Sequence, residues 1–272
     1  MVTKMNKKAE RLLSAVCNQI QRLGQIYDTK KVYTDFLTVS AICVSNAICC
    51  NWFTEREALY TETMKRYKPE HRKVFADMFE KLIQIFELSF INYTDIFSII
   101  ADRLAVRRKD LKQNFSPEGV GKIMGGIAAL ELDKQIEENG FASVSDGTCG
   151  TGTLILKYAE ELSLKYNPHT QMCATLVDKD FSCVCAAYLQ MSYYGIPAVV
   201  IHGDILKAEE ISRWYTPIYV MDRWIWRCKC AIVDGCVHDD EMIKMASEPI
   251  YAVMKRIRLS EKREEKKNNV KS

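Results

Sequence analysis

Hydrophobic side chains recur at helical spacing from the start of the chain to about Gln113. One such face, built mainly from steps of three and four residues, consists of Leu12, Leu13, Val16, Ile20 and Leu23. Another consists of Val74, Phe75, Met78, Phe79, Leu82, Ile83 and Phe86. Further helices are predicted over residues 33–52, 55–67 and 93–106. The pattern predicts a helical N-terminal domain over residues 1–113, in which no catalytic spacing stands out.

The pattern changes beyond residue 113. Ser116 as an N-cap and Pro117 at the first helical position predict a helix that runs to about Gly140. Short apolar runs then alternate with helical ones, with strands at 142–146, 173–178 and 198–202 and helices at 153–166 and 181–194. This βαβαβ order is typical of a parallel, doubly wound sheet. We therefore predict an α/β fold with a Rossmann-like sheet over residues 114–254, followed by a basic tail over residues 255–272.

Residues suited to ligand binding follow the predicted strand ends. The turn after the first strand, from Asp146 to Gly152, is rich in glycine, which lets the backbone bend sharply and approach a ligand. The second strand ends at Asp178, whose carboxylate can accept both hydroxyls of a ribose, and the third leads into Asp204. A turn without a ligand also needs glycine. The order of these three strand ends nevertheless favours a ligand of the nucleoside type.

The same residues carry a resemblance to a known family. The turn reads Asp146-Gly147-Thr148-Cys149-Gly150-Thr151-Gly152. It resembles the S-adenosylmethionine motif Asp-Pro-x-Cys-Gly-[Ser/Thr]-Gly of the amino-group DNA methyltransferases, especially the adenine-N6 modification subunits of type I restriction systems. Residues 114–118 resemble that family's [Phe/Tyr]-[Thr/Ser]-Pro segment, and residues 178–180 and 187–196 resemble its acidic second motif with the following helix. The resemblance covers residues 114–206.

The resemblance implies S-adenosylmethionine as cofactor and DNA as the partner that is methylated. Ser116 and Asp146 are implied to face the methionine part of the cofactor, Asp178 to hold its ribose and Asp204 to contact its adenine. The positions implied for the cofactor are Phe115, Ser116, Asp146, Gly147, Thr148, Gly150, Gly152, Thr153, Asp178, Lys179, Asp204 and Ile205. Gly147 replaces the proline of the family, and Cys149 is interpreted as a packing residue rather than a reactive thiolate.

The catalytic motif of the family is missing from the sequence. Adenine-N6 methylases carry [Asn/Asp/Ser]-Pro-Pro-[Tyr/Phe/Trp], in which oxygen acceptors orient the amino group and an aromatic ring stacks on the flipped base. The nearest analogue comprises Thr216, Pro217 and Tyr219, with Ile218 between them, and no apolar strand is predicted before it. Only 50 residues separate Asp204 from the basic tail. This is too few for four more strands with their crossovers, so we expect a truncated sheet or a partner that completes it.

Three functions remain open from the sequence. The first is an S-adenosylmethionine-dependent DNA methylase that works with a partner subunit or as a homo-oligomer. The second is a degenerate methylase that acts by protein contact, either as a subunit of a complex or as a mobile-element protein that interferes with host defence. The third is methylation of RNA, protein or a small molecule, since the first motifs report the cofactor and not the acceptor.

Two features near the C-terminus have a chemical and a structural interpretation. Cys228, Cys230, Cys236 and His238 could bind zinc, but Cys-x-Cys is not the usual spacing, so a hairpin with buried thiols is favoured and no metal is predicted. Four large aromatic residues could stack on bases, although core or interface positions are the more common role. They are Trp214, Tyr215, Trp224 and Trp226.

Charge and cysteine content bear on location and partners. The tail carries +5 of a whole-chain charge of +3, and it could contact nucleic acid phosphates or form a solvated end. The cysteines are an odd eleven, and residues 1–10 are polar and rich in lysine, so we expect reduced thiols and a cytoplasmic location. The longest apolar stretch, residues 36–50, is shorter than the ~20 residues of a membrane span, and no membrane partner is predicted.

Overall fold

A computed structural model of the chain describes residues 5–49, 51–106 and 133–227. Its first helices are α1 (Lys7–Tyr27), α2 (Thr29–Asn46), α3 (Phe53–Lys65), α4 (Pro69–Ser89) and α5 (Ile96–Arg103). Asp28 separates α1 from α2, and its carboxylate caps α2 by accepting a 2.8 Å hydrogen bond from the backbone N–H of Lys31. That cap explains why α2 begins four residues before the predicted helix.

The predicted apolar faces of the helices form the core of the helical region. Leu13, Val16 and Ile20 of α1 are fully buried, as are Met78 and Leu82 of α4. The helical character predicted for this region is therefore confirmed within the described residues. The predicted extension of α2 to residue 52 is wrong, because the helix ends at Asn46 and residues 47 and 48 form a turn.

Within the described residues, a four-stranded sheet with the order β1-β2-β3-β4 follows these helices in the chain. The strands are β1 (Ala142–Asp146), β2 (Met172–Asp178), β3 (Ala198–Asp204) and β4 (Glu209–Tyr215). Helix α6 is described over residues 133–139, and the other helices are α7 (Thr153–Leu162), α8 (Pro168–Gln171), α9 (Phe181–Tyr193), α10 (Pro217–Met221) and α11 (Trp224–Arg227). The first three strands are parallel, with α7 and α8 between β1 and β2 and α9 between β2 and β3. The predicted Rossmann-like α/β arrangement is confirmed for these elements.

Strand β4 was not predicted from the sequence. It pairs antiparallel with β3, and the register shifts at a bulge between His202 and Gly203. A Cβ atom at Gly203 would lie only 2.2 Å from the Glu209 carbonyl oxygen, so the bulge requires glycine. A strand therefore does precede Thr216, although β4 is largely polar and only its last two residues, Trp214 and Tyr215, are buried.

Arg56 of α3 contacts strand β4 directly. Its guanidinium donates a 2.8 Å hydrogen bond to the Arg213 carbonyl and a second bond to the Ser45 hydroxyl. The guanidinium carbon lies 4.0 Å from the ring centre of Trp214 and 5.0 Å from that of Trp52. Among the described side chains no carboxylate pairs with this buried cation, so aromatic faces and carbonyl or hydroxyl oxygens stabilise it.

The described residues up to Trp224 belong to one compact unit, and Ile225 begins a second. The predicted domain boundaries at residues 113 and 254 lie outside the described residues and stay predictions, as does the basic tail. No helix within the described ranges combines the length and the apolar character that crossing a bilayer requires.

Candidate functional site

The glycine-rich turn after β1 is fixed by its own backbone and by β2. The backbone N–H of Cys149 donates a 2.9 Å bond to the Val177 carbonyl, and that of Gly152 donates a 2.8 Å bond to the Cys149 carbonyl. Gly150 and Gly152 have φ angles of 53° and 89°. A Cβ atom at Gly152 would also lie 3.1 Å from the Met191 methyl carbon, so both conformation and space favour glycine there.

Asp178 joins the end of β2 to this turn. One carboxylate oxygen accepts a 2.9 Å bond from the backbone N–H of Gly150, and the other accepts a 2.8 Å bond from that of Asp180. Burial raises the pKa of Asp178, while these two backbone bonds act in the opposite direction. A carboxylate offers about four acceptor positions, so two of them can still accept hydroxyl groups from a ligand.

Asp146 and Asp204 lie at the ends of the neighbouring strands. Asp146 accepts a 3.1 Å bond from the backbone N–H of Thr148, and Asp204 accepts a 3.0 Å bond from that of Leu206. Burial raises the pKa of Asp146, and the charge of Asp178 adds to this shift. The carboxyl ends of three adjacent parallel strands therefore form an acidic edge that can accept hydrogen bonds and attract a cation.

The other predicted cofactor residues at this edge differ in exposure. Ile205 is 53% exposed, and its side chain lies over Gly147, where an added Cβ would be 2.7 Å from its terminal methyl carbon. Thr148 and Lys179 are exposed beside the turn. Cys149 is buried, which raises the pKa of its thiol well above the ordinary value and agrees with a packing role. Phe115 and Ser116 lie outside the described residues.

The structure does not bring Thr216, Pro217 and Tyr219 to this edge. Thr216 is fully buried beside the amino end of β3, where its hydroxyl accepts a 2.9 Å bond from the Ala198 N–H and donates one of 2.9 Å to the Ile196 carbonyl. Pro217 begins α10, and the buried ring of Tyr219 stacks on Tyr215. Because β3 runs six residue steps from Ala198 to Asp204, about 20 Å separates its two ends.

Sequence reasoning missed Asp95, which binds the turn from the helical region. Its carboxylate accepts hydrogen bonds from the hydroxyls of Thr151 and Thr153, the first of which is 2.7 Å long. The hydroxyl of Thr153, predicted to contact the cofactor, is thus engaged inside the protein. The sequence carries no signal for this contact, because Asp95 falls inside the helix predicted over residues 93–106, whereas α5 begins at Ile96 with Asp95 as its N-cap.

The remaining candidates near the C-terminus have a structural role where they are described. Trp214 is buried against Phe181 and Tyr188, and Trp224 against Phe141, as expected for core residues. The four candidate zinc ligands, Cys228, Cys230, Cys236 and His238, lie outside the described residues. Within those residues, no cluster of three or more His, Cys, Asp or Glu side chains is placed to hold a metal ion.

Comparisons with known proteins do not assign this chain to a family. No family model matches the sequence, and no curated protein matches it either. One similar solved structure is that of a Listeria monocytogenes protein assigned to the class I S-adenosylmethionine-dependent methyltransferases, with a TM-score of 0.42 and 15% sequence identity. The match covers 72% of this chain and 53% of that one. The chain thus spans about half the length of that protein, and a likeness of this size assigns no family.

Proposed function

We propose that the acidic edge at the carboxyl ends of β1, β2 and β3 binds S-adenosylmethionine. The observation that carries the proposal is the hydrogen bond from the Gly150 N–H to Asp178, which holds the glycine turn beside the predicted ribose acid. Asp178 pairs in register with His202, so Asp204 follows two residues further along the next strand. Carboxylates that can accept hydrogen bonds from ribose hydroxyls therefore lie beside a glycine backbone that a ligand can approach closely. A bound nucleoside requires both features.

The charge of this edge supports S-adenosylmethionine over a dinucleotide. Asp146, Asp178 and Asp204 present carboxylates, and burial strengthens electrostatic interactions with the first two. The pyrophosphate of a dinucleotide would meet these like charges, whereas the sulfonium and ammonium groups of S-adenosylmethionine would be attracted. Bound there, S-adenosylmethionine would supply an electrophilic methyl group, while Asp178 would orient the ribose and Asp204 the adenine.

We further propose that the protein is related to adenine-N6 DNA methylases and acts on or with DNA. Methyl transfer to an exocyclic amine needs acceptors that orient the amino group. Thr216, the nearest analogue in the sequence, has its hydroxyl engaged with Ala198 and Ile196. The orienting groups are therefore expected from a partner subunit, a second copy of the chain, or residues outside the described ranges.

The alternative is a degenerate methylase that keeps the cofactor site and acts by protein contact. The specific observation in its favour is the burial of Thr216 and Tyr219 at the opposite end of β3, about 20 Å from the glycine turn. Under this alternative, S-adenosylmethionine would bind as a structural ligand. No methyl group would then pass to DNA, even with a partner present.

Calorimetric titration of S-adenosylmethionine into the purified chain tests the cofactor proposal. We expect micromolar binding, and Asp178→Ala should weaken it by about 10- to 150-fold, because the lost hydrogen bonds contribute about 1.5–3 kcal/mol. Asp77→Asn removes an exposed carboxylate of α4 that bonds to Gln19 and serves as the matched control. Equal affinity in wild type and Asp178→Ala would contradict this assignment of the site.

Transfer of a radiolabelled methyl group separates the two functions. Transfer to DNA by the purified chain alone would overturn the degenerate alternative. Binding without transfer, followed by transfer once a second subunit is added, would support the methylase that needs a partner. Binding without transfer under both conditions would favour the alternative.

A further inference from the structure

The carboxylate of Asp95 accepts hydrogen bonds from three separate elements. One oxygen accepts a 2.9 Å bond from the Ser98 N–H, which caps α5, and a 3.1 Å bond from the side-chain amide of Gln190 in α9. The other oxygen accepts from the hydroxyls of Thr151 and Thr153. All four partners donate to the carboxylate, whereas an amide in its place would keep the two hydroxyl contacts only if both hydroxyls rotated to accept from its NH₂ group.

Gln190 of α9 also links the start of α5 to the glycine turn. Its side chain is fully buried, and its oxygen accepts a 2.9 Å bond from the Ile96 N–H. Its amide group donates to the Thr151 carbonyl as well as to Asp95. Thr151 is therefore held through both its backbone and its side chain, and both bonds lead to the start of α5.

Residue Thr94, directly before Asp95, is fixed in turn by Tyr194, the residue that follows α9. The hydroxyl of Tyr194 donates a 2.6 Å bond to the Thr94 carbonyl, and the ring of Tyr194 packs on Tyr93 and Phe86. The start of α5 thus has little freedom to move away from the turn. A carboxylate placed on such a support can define the position of the groups that bond to it.

The glycine turn is therefore held from two directions. Its first half is bonded to β2, through Cys149 and Gly150. Thr151 in its second half and Thr153, the first residue of α7, are bonded to Asp95 of the helical region. We propose that Asp95 is a positioning residue that sets the second half of the turn and the first residue of α7. Cofactor affinity would then depend on the helical region, an inference that rests on the proposed function.

Asp95→Asn tests this with little change in shape. The amide oxygen can still accept from Ser98 and Gln190. Its NH₂ group can bond to the two threonine hydroxyls only if they rotate to accept, so neutral hydrogen bonds replace bonds to a charged carboxylate. We expect backbone hydrogen exchange in residues 150–156 to accelerate about tenfold or more, and S-adenosylmethionine affinity to fall about tenfold, as for one lost charged hydrogen bond. Exchange within β3 should stay unchanged. Asp77→Asn, on α4, is the carboxylate control.

Threonine variants show whether the effect passes through the hydroxyls. Thr151→Val should accelerate the same amides, and Thr151→Ser should restore wild-type exchange because it keeps the donor. Adding Thr151→Val to Asp95→Asn should change exchange little beyond Asp95→Asn alone, since the Thr151 bond to the carboxylate is already lost. Additive effects would overturn the proposed link.

The two readouts separate failure of this inference from failure of the proposed function. Unchanged exchange at residues 150–156 in Asp95→Asn overturns the positioning role, whatever happens to affinity. Faster exchange with unchanged affinity overturns its role in cofactor binding. If wild type binds no S-adenosylmethionine, the proposed function fails, while faster exchange in Asp95→Asn would still support the role of Asp95 in setting the turn.

Discussion

The two ends of the sheet carry similar polar residues and use them differently. At the carboxyl ends of β1–β3, Asp146, Asp178 and Asp204 are partly exposed, and each bonds mainly to backbone N–H groups of a turn. At the other end, Thr216 is fully buried, and its hydroxyl both accepts and donates within the fold. The carboxyl end keeps hydrogen-bond acceptor positions for a ligand. At the amino end of β3, the hydroxyl of the candidate catalytic residue Thr216 is already bonded within the fold.

This difference shows that residue type and order alone do not identify a site. Thr216, Pro217 and Tyr219 have a spacing related to a catalytic loop, yet the antiparallel direction of β4 carries them to the wrong end of the sheet. A parallel strand would have delivered them to the glycine turn. The direction of one strand thus separates the candidate catalytic residues from the candidate cofactor site.

The largest expected effect comes from Thr216→Val, which tests the structural role of the buried hydroxyl. It would leave the Ala198 N–H and the Ile196 carbonyl without this partner, and we expect the free energy of unfolding to fall by about 2–3 kcal/mol. Urea denaturation measures the loss, and Thr216→Ser should recover most of it. Loss of methyl transfer at unchanged stability would place Thr216 in catalysis. It would contradict the structural role assigned to the amino end of β3.

A smaller effect is expected from Gly152→Ala at the ligand-binding end. Its positive φ and the nearby Met191 methyl should cost about 1–2 kcal/mol of stability, and the altered turn should also weaken S-adenosylmethionine binding. Gly140→Ala is the matched control, because Gly140 has a φ of 78° but no heavy atom within 4 Å of an added Cβ. Equal affinity in both variants would contradict the placement of the cofactor at this turn.

The smallest effect concerns the pH dependence of Asp146→Asn. Burial raises the pKa of Asp146 above 3.8, so between 3.8 and the raised value the folded chain holds more protons than the unfolded one. Its contribution to stability therefore falls as pH rises through that window, and ionised Asp146 costs stability at neutral pH. We expect Asp146→Asn to be at least as stable as wild type at pH 7, with the difference vanishing in acid.

Asp133→Asn provides a control of opposite sign for that measurement. Bonds from Lys165 and Tyr166 lower the pKa of Asp133, so its contribution is present above the ordinary value and lost as pH falls through the lowered one. Denaturation of both variants across the acid range should give opposite trends. The same slope for both would show that burial does not govern Asp146.

Local periodicity accounts for what the sequence predicted correctly. Strand β1 has the predicted bounds, and β2 and β3 differ from prediction by one or two residues. Strands β2 and β3 contain short apolar runs, and all three strands end in an Asp. Strand β4 was missed since Glu209, Glu210 and Arg213 interrupt its pattern. Only its pairing with β3 through the bulge at Gly203 makes it a strand.

The sequence also predicted only the local part of the candidate site. Glycines and acids at strand ends are local signals, and the structure brings Asp178 to Gly150 as the order of elements requires. Asp95 lies 56 residues before Thr151 in the chain, and its role depends on how α5 packs against α9. No periodicity within either segment encodes that contact, so only the three-dimensional structure reveals it.

The contact of Arg56 with β4 has a consequence for the order of folding. Its bond to Arg213 joins residues 157 positions apart, and closing so long a loop is slow unless one side is already formed. The helical segment leaves the ribosome first and can fold while the residues of the sheet are still being synthesised. We expect the folded helical segment to present Arg56 and Trp52 as a preformed docking surface, against which β4 packs late in folding.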